Sequence, residues 1–340
     1  DAPRFAFSVP TVNQRAPRKR YHWKVLPQGM QNSPTICQRY VASLLSPVRA
    51  AMPEVVIHHY MDDVLVCAEN EDLLNHTFDL TVKALIAAGF ELQESKIQRV
   101  PPWKCLGLKI SQRTIVPQKL AIKTKIETLA DVHQLCGALT WVRPWLGLST
   151  EDLAPLFSLL KGAEELSSPR SLTPEAKKAL EKVQDLMASR QAHRCVSGLP
   201  FMFTVLGDLP YLHGVIFQDP LLIIEWVFLR HQQSKRLIKP QEMMADLIRK
   251  ARVRIRDLAG CDFECIHIGI QTKSGQISKA TLEHLLQTNE ALPFALDSYP
   301  GKISLTQPAQ KIFNQDAQFV LALDSVQSMK PLKALTIFTD

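Results

Sequence analysis

Apolar residues recur along this chain with two periods, and the dominant period changes near Pro117 and again near Gly198. Phe5, Phe7 and Val9 alternate with smaller or polar residues, and Tyr21, Trp23 and Val25 alternate again. A period of two predicts a pair of strands, joined here by the basic loop Asn13–Arg20. Ser33-Pro34 reads as a helix cap followed by a proline at the first helical position, opening a helix that ends near Met52-Pro53. Glu54–Tyr60 and Val64–Cys67 are short, apolar and rich in β-branched residues, and they flank Met61-Asp62-Asp63. They predict a hairpin with acids at its tip. Leu73, Leu74, Phe78, Val82, Leu85 and Ile86 keep a helical period until Gly89, which suits the residue after a helix end. Trp103–Ile110 with Ile115-Val116 predicts a further hairpin.

Beyond Pro117 the stripes are helical, over Asp131–Trp141, Leu153–Leu160 and Ala176–Met187, punctuated by Ser167-Ser168-Pro169 and Thr173-Pro174. From Gly198 the pattern returns to strands: Leu221–Leu229, Cys265–Ile270, Phe319–Leu323 and Leu335–Phe338. They surround one helix carrying Met244, Leu247, Ile248, Ala251, Ile255 and Leu258 on a single face. The fold class expected is α+β, in the order mixed sheet, helical bundle, mixed sheet.

A length of 340 residues suggests two or three domains, and 46% hydrophobic residues suffice for a sizeable core. The net charge of +7 fits a phosphate-rich partner. Basic residues cluster at Arg15, Arg18, Lys19, Arg20 and Lys24, and again between Lys235 and Asp257. Such clusters are either solvated faces or nucleic-acid contacts. Seven cysteines, widely spread and mostly in apolar runs, predict free, buried thiols in a reducing, intracellular compartment. Cys261, Cys265 and His267 lack the spacing of a zinc module and read as buried strand residues. No apolar run approaches the ~20 residues a membrane helix needs, so no membrane partner is expected. The start Asp-Ala-Pro-Arg has no initiator Met and no signal-peptide pattern, so the chain is expected to begin inside a longer protein.

Tyr60-Met61-Asp62-Asp63 carries the principal chemical signal. Adjacent acids at a hairpin tip are commonly turn formers. Their other reading is metal binding, because a sharp turn presents hard carboxylate oxygens that suit Mg²⁺. Paired divalent ions activate an attacking hydroxyl and stabilise a leaving oxygen in phosphoryl transfer. Upstream stand Leu26-Pro27-Gln28-Gly29-Met30 and Asn32-Ser33-Pro34. Together with Phe-Ala-Phe-Ser-Val-Pro at positions 5–10, these motifs resemble the palm of retroviral reverse transcriptases, in particular the betaretroviral and alpharetroviral branch with its endogenous copies.

That resemblance implies a partial palm over residues 1–116, a helical thumb over 117–195, an α/β connection subdomain over 196–333 and the first strand of a ribonuclease H domain over 334–340. It implies template-directed nucleotidyl transfer with two Mg²⁺ ions, Asp62 as the principal metal ligand and Asp63 as its weaker neighbour. Lys96, in a stretch similar to the family's next motif, would assist departure of pyrophosphate; as a plain residue it is a solvated loop lysine. Gln28 would touch the incoming nucleotide, Gly29 would permit its close approach, and Met61 would line the primer terminus and incoming sugar. Each also suits turn geometry or helix capping alone. Pro34 would lie near the template. Trp103, Lys104, Cys105, Leu106 and Gly107 resemble the hairpin that grips the primer. Leu135–Trp141 is similar to the thumb helix along the duplex minor groove, with contacts from His133, Gly137 and Trp141; the family usually has glutamine at the position of His133. Partners implied are an RNA/DNA template–primer, deoxynucleoside triphosphates and a dimer partner subunit, in the cytoplasm or a virus particle.

The family's third catalytic carboxylate lies on a strand preceding Asp1, and the fingers that grip the triphosphate precede it too. Two readings follow: a portion of a polymerase that is inactive by itself, or a non-catalytic nucleic-acid-binding remnant of an endogenous retroviral polyprotein.

Overall fold

The computed structural model describes residues 6–9, 18–27, 29–118, 126–162, 165–207, 211–229, 240–272, 275–276, 283, 287, 290–309, 313 and 319–321. They belong to two compact units, Asp1–Leu106 and Gly107–Asp340.

In the first unit, β1 (Phe7–Val9) and β2 (Lys19–Tyr21) pair antiparallel with Phe7 opposite Tyr21. The strand expected over Tyr21–Val25 stops at Tyr21, and Lys19 and Arg20 sit on the strand rather than in the loop before it. Helix α1 (Ser33–Ala51) starts one residue earlier than the Ser33 cap predicts. Asn32 occupies the cap position without a side-chain bond, while the Ser33 hydroxyl donates instead to the Pro27 carbonyl at 2.8 Å. Val41, Leu45 and Val48 repeat at helical spacing and bury one face of α1 against Val55, Ile57 and Leu85. Strands β3 (Val56–Tyr60) and β4 (Asp63–Cys67) form the expected hairpin. Helix α2 (Glu71–Ala87) begins at Asn70, whose side chain accepts from the Leu73 N–H, and Glu71 and Asp72 complement the positive end of its dipole. It ends as expected at Gly89, whose φ is +86°. The Gly89 N–H reaches the Ile86 carbonyl and the Phe90 N–H reaches the Leu85 carbonyl, a Schellman closure. A 3₁₀ turn (Glu94–Lys96) and β5 (Trp103–Cys105) complete the unit. Positive φ at Leu106 and Gly107 divides the continuous strand expected over Trp103–Ile110.

In the second unit, β6 (Leu108–Ile110), β7 (Thr114–Pro117) and β8 (Ala192–His193) are antiparallel neighbours. Three helices follow the predicted stripes but run longer or start earlier: α3 (Leu129–Leu146), α4 (Thr150–Ser158) and α5 (Pro174–Ser189). Capping sets their starts. Thr128 with Asp131 and Ser149 with Asp152 form capping boxes, and Thr173 caps α5 ahead of Pro174. Leu135, Leu139, Val142 and Leu146 of α3 pack with Leu153 and Leu156 of α4 and with Leu180 and Val183 of α5.

Beyond the bundle lies a five-stranded sheet in the order β11 (Leu222–Phe228), β10 (His213–Gln218), β9 (Met202–Leu206), β12 (Cys265–Ile268), β15 (Lys302–Ser304). β12 runs parallel to both β9 and β15, so the sheet is mixed, as expected. Helix α6 (Pro240–Ala259) covers it with Met244, Leu247, Ile248, Ala251 and Ile255. Leu258, expected on the same face, is 45% exposed because it lies on the last turn, beyond the sheet-covering stripe. A short helix α7 (Ala291–Ala295) adds Leu292 to this core. β13 (Ile270–Thr272), β14 (Gly275–Gln276) and β16 (Phe319–Leu321) form a small separate sheet. Leu335–Phe338 lies outside the described residues.

Bundle and sheet are joined by cations resting on aromatic rings. The Arg143 guanidinium sits 3.8 Å from the centroid of Phe228, and burial lowers its pKa to about 10 despite the nearby Asp152. Arg190 lies over Trp226 and donates to the Leu146 and Gly147 carbonyls. Gly147 closes α3 at φ +65°, where a Cβ would come within 2.5 Å of the Trp226 ring.

The cysteines correct an expectation. All are thiols outside any disulfide, but only Cys136 is buried; Cys67, Cys195 and Cys261 are exposed, since each lies at a strand end or in a connecting segment instead of within its apolar run. Among the described residues no helix is long and apolar enough to cross a membrane.

A buried ion pair sets the pH response of this unit. Arg252, 5% exposed, holds Asp262 through both Nε and Nη2 and also donates to the Ala295 and Asp297 carbonyls. Burial disfavours the Asp262 carboxylate, but bonds from Arg252, Arg256 and the Phe263 N–H outweigh it and hold its pKa below the usual range. Asp152 is lowered likewise, burial being outweighed by Lys182 and Ser149. Folding favours both ionised forms, so their stabilisation is complete above the ordinary carboxylate range and is lost as pH falls through their lowered values. Urea denaturation across that range should show stability dropping on acidification, with a shallower slope for Asp262→Asn; an equal slope would contradict this linkage.

Candidate functional site

A two-residue turn at Met61–Asp62 connects β3 to β4, with Tyr60 paired directly to Asp63. Met61 has φ +54°, a conformation that a side-chain-bearing residue adopts only when its surroundings enforce it. The enforcement comes from α1. Gln38 accepts from the Met61 N–H at 2.8 Å and donates to the His59 carbonyl at 3.0 Å, so one amide grips the backbone on either side of Tyr60 as it enters the bend. Arg49 donates to the Ile57 carbonyl through Nε and Nη2, and its Nη2 reaches His59 Nδ1 at 2.9 Å. A guanidinium only donates, so Nδ1 accepts, and the His59 Nε2–H donates to the Gln38 carbonyl at 3.1 Å. Gln38, Arg49 and His59 escaped the sequence reading. The signal for Gln38 and Arg49 was a polar residue on the flank of an apolar helical stripe, which is common on any half-buried helix, and His59 is one polar position in a strand.

Asp62 and Asp63 are both exposed. One Asp63 oxygen accepts a long bond of 3.4 Å from the Leu106 N–H, and its other positions remain open. Burial pushes the Cys105 thiol up, and the neighbouring Asp63 and Cys67 push it further. The structure therefore brings Cys105 and Leu106 to the acid pair across some forty residues of chain. Gln98 fixes that segment by accepting from the Lys104 N–H at 2.6 Å and donating to the Lys104 carbonyl at 2.9 Å. Gln98 too went unnoticed in the sequence.

The remaining expected residues fall in three places. Gly29 has φ +83°, Pro34 is exposed at the start of α1, and Gln28 lies outside the described residues. Lys96 is exposed on the 3₁₀ turn, Trp103 is half-buried and Lys104 is exposed. In the second unit, His133, Gly137 and Trp141 recur every four residues along α3 and form an exposed stripe opposite its buried face. Trp141 Nε1 lies 3.8 Å from where a Cβ on Gly107 would stand, and Trp145 packs edge-on against Trp141.

Hard carboxylate oxygens on an exposed turn fit a divalent ion such as Mg²⁺. Among the described residues no three His, Cys, Asp or Glu side chains gather to hold a metal. Mg²⁺ is commonly held by one or two carboxylates, with water and substrate phosphates completing its shell. The residues present fit that arrangement.

Three family models match the chain. Residues 1–110 match "Reverse transcriptase (RNA-dependent DNA polymerase)", residues 117–181 match "Reverse transcriptase thumb domain", and residues 210–313 match "ERVK-8-like, RNaseH-like domain". The hairpin unit falls in the polymerase match, the helical bundle mostly in the thumb match and the sheet mostly in the RNaseH-like match. Along its whole length the chain is 35% identical to the Gag-Pro-Pol polyprotein of Mason-Pfizer monkey virus, 36% to that of simian retrovirus SRV-2 and 34% to that of mouse mammary tumor virus. It spans 19% of the length of each of these relatives. The chain belongs to the retroviral reverse transcriptase family.

Gln38→Ala would strip the Met61 N–H and His59 carbonyl of their partners. Loss of one such pair costs about 1–3 kcal/mol when the orphaned group stays buried. Urea denaturation of the variant should show a destabilisation of that order, and an unchanged midpoint would show that the bend holds without its brace.

Proposed function

We propose that this chain is the palm, thumb and connection portion of an RNA-directed DNA polymerase, with Asp62 and Asp63 as its Mg²⁺ ligands. The observation that carries the reading is the exposed acid pair on a turn pinned by Gln38, with the Leu106 N–H at one carboxylate. Divalent ions bound there would favour attack by a primer hydroxyl and stabilise the departing pyrophosphate oxygen.

The chain's own residues orient the reactants. Met61, held at positive φ beside the acids, lines the primer terminus and the incoming sugar. Gln28 and Gly29 meet the incoming deoxynucleoside triphosphate, and Pro34 borders the template. Trp103 through Gly107 hold the primer end, a role supported by the closeness of Cys105 and Leu106 to Asp63. On α3, the His133–Gly137–Trp141 stripe offers a small residue between two larger ones, a shape that admits a duplex backbone close to the helix. Lys96 neutralises charge on the leaving group. The domain limits proposed are 1–116 for the palm, 117–195 for the thumb and 196–333 for the connection, with the RNaseH-like sheet inside the last. Template–primer duplex and a dimer partner subunit belong to the same proposal, in the cytoplasm or the virus particle, as does ribonuclease H activity of the complete polyprotein.

Primer extension with Mg²⁺ on a primed homopolymer, by a polypeptide that includes this chain, tests the assignment. Asp62→Asn should lower incorporation by about 100- to 1,000-fold, as expected when one preorganised electrostatic group is lost, with template–primer affinity nearly unchanged. Full incorporation by that variant would remove Asp62 from the chemistry.

A further inference from the structure

Two arginines are buried among the described residues, Arg252 at 5% and Arg143 at 6% exposed. Their surroundings differ in one respect. Arg252 has the Asp262 carboxylate at 2.8 Å, whereas no acid among the described residues forms an ion pair with Arg143. Arg143 Nε donates to the Leu148 carbonyl at 3.1 Å and Nη2 to the Thr150 hydroxyl at 2.9 Å, while Nη1 donates to no acceptor among the described residues. The Phe228 ring covers one face of the guanidinium but supplies no counter-charge. A cation taken out of water is costly unless an anion stands beside it.

Arg143 lines a cleft of about 870 Å³ between the helical bundle and the sheet. Apolar groups from three places line it with Arg143: Phe157 and Leu160 at the end of α4 and just beyond, Phe228 and Leu229 at the end of β11, and Val253 on α6. Lys161, Lys250 and Arg254 add three cations, against the acids Glu225 and Asp257. Arg254 already holds Glu225 at 2.8 Å, so the surplus charge of the cleft is positive. Lys250 Nζ donates to the Phe228 carbonyl and Arg143 stacks on the Phe228 ring, which brings two cations to one residue at the end of β11. A cleft of this volume with apolar lining and a few convergent polar groups has the character of a small-molecule site. Its complement is a molecule with an apolar body and one anionic head.

We propose that this cleft binds a small amphipathic organic anion, its acidic head paired with Arg143 and its hydrocarbon body against Leu160, Leu229 and Val253. Lys250 lends the head a second cation. A short fatty acid has this chemistry, and an arylsulfonate shares it. Such a ligand touches bundle and sheet at once and so strengthens the join between them. The site draws on none of the residues assigned above to metal, nucleotide or duplex, and it stands or falls apart from the polymerase reading.

Displacement of anilinonaphthalene sulfonate, whose emission rises in an apolar site, tests this on the full chain. Octanoate should displace it about ten- to a hundredfold more effectively than 1-octanol, because the alcohol forgoes a hydrogen bond between charged groups. Octylammonium should not compete. Val253→Glu changes an exposed position on the cleft and should abolish the advantage of octanoate while leaving the thermal unfolding of the free protein near that of the unaltered chain. Arg143→Met should abolish it too, and circular dichroism checks that this variant folds; where it does not, Val253→Glu carries the test. Equal displacement by octanoate and octanol, or an undiminished octanoate preference in Val253→Glu, would overturn the site. Failure of the unaltered chain to bind either the sulfonate or octanoate would do the same. A template–primer duplex should leave the bound sulfonate in place; displacement by the duplex would make the cleft part of a nucleic-acid track and overturn the assignment.

Discussion

A two-stranded hairpin is marginal in water unless something else packs on it. The β3–β4 hairpin must also hold Met61 in a left-handed conformation while keeping two like charges next to each other. Helix α1 meets both demands. Its apolar stripe closes over Val55 and Ile57 at the base of the hairpin, and its polar flank, Gln38 and Arg49, reaches the strand backbone. Apolar burial supplies most of the attachment; the amide and guanidinium supply the register. The imidazole of His59, held between Arg49 and the Gln38 carbonyl, locks the two together. Everything proposed for the acid pair depends on this brace, because carboxylates on a loosely held turn would present no fixed geometry to an ion.

The second unit solves a different problem with similar means. A helical bundle and a mixed sheet each have their own core, and the join between them uses Arg143 on Phe228 and Arg190 on Trp226. Stacked guanidinium groups tolerate partial burial because their charge is delocalised and weakly hydrated, provided their N–H groups find acceptors. Here the acceptors are carbonyls at the end of α3 and beside it. The glycine at position 147 lets the Trp226 ring close on that helix end. Meanwhile the opposite face of α3 stays free of core contacts, which leaves its His133–Gly137–Trp141 stripe available to a ligand.

Much of this architecture was legible in the sequence, for identifiable reasons. Helices α2, α4 and α5 announced themselves through an apolar stripe, with Gly89 after α2 and Thr173-Pro174 ahead of α5, whereas the caps Asn70 and Ser149 went unread. The acid hairpin was legible because two β-branched runs flank a polar tip. Strands β9 and β10 were not singled out, since both faces of a central strand are buried and alternation disappears; all of His213–Gln218 is buried. The Ser33 cap was misplaced by one residue because its hydroxyl found a nonlocal acceptor in Pro27. Leu258 and the exposed cysteines failed for a shared reason: apolar context along the chain is no guarantee of cover at the end of an element. At the candidate site the motif residues could be named, but Gln38, Arg49, His59 and Gln98 act through backbone groups on other elements or turns, and no periodic pattern reveals such a partner.

The central claim is that Asp62 and Asp63 together bind a divalent ion at the β3–β4 turn. Replacing Mg²⁺ with Fe²⁺ in the presence of ascorbate and peroxide generates hydroxyl radicals at the bound ion, and these cut the backbone nearby. The account predicts cuts clustered around Tyr60–Val64 and around Cys105–Leu106, suppressed by excess Mg²⁺ and absent in a variant with both acids changed to asparagine. Cleavage concentrated elsewhere, or persisting unchanged in that variant, would contradict it.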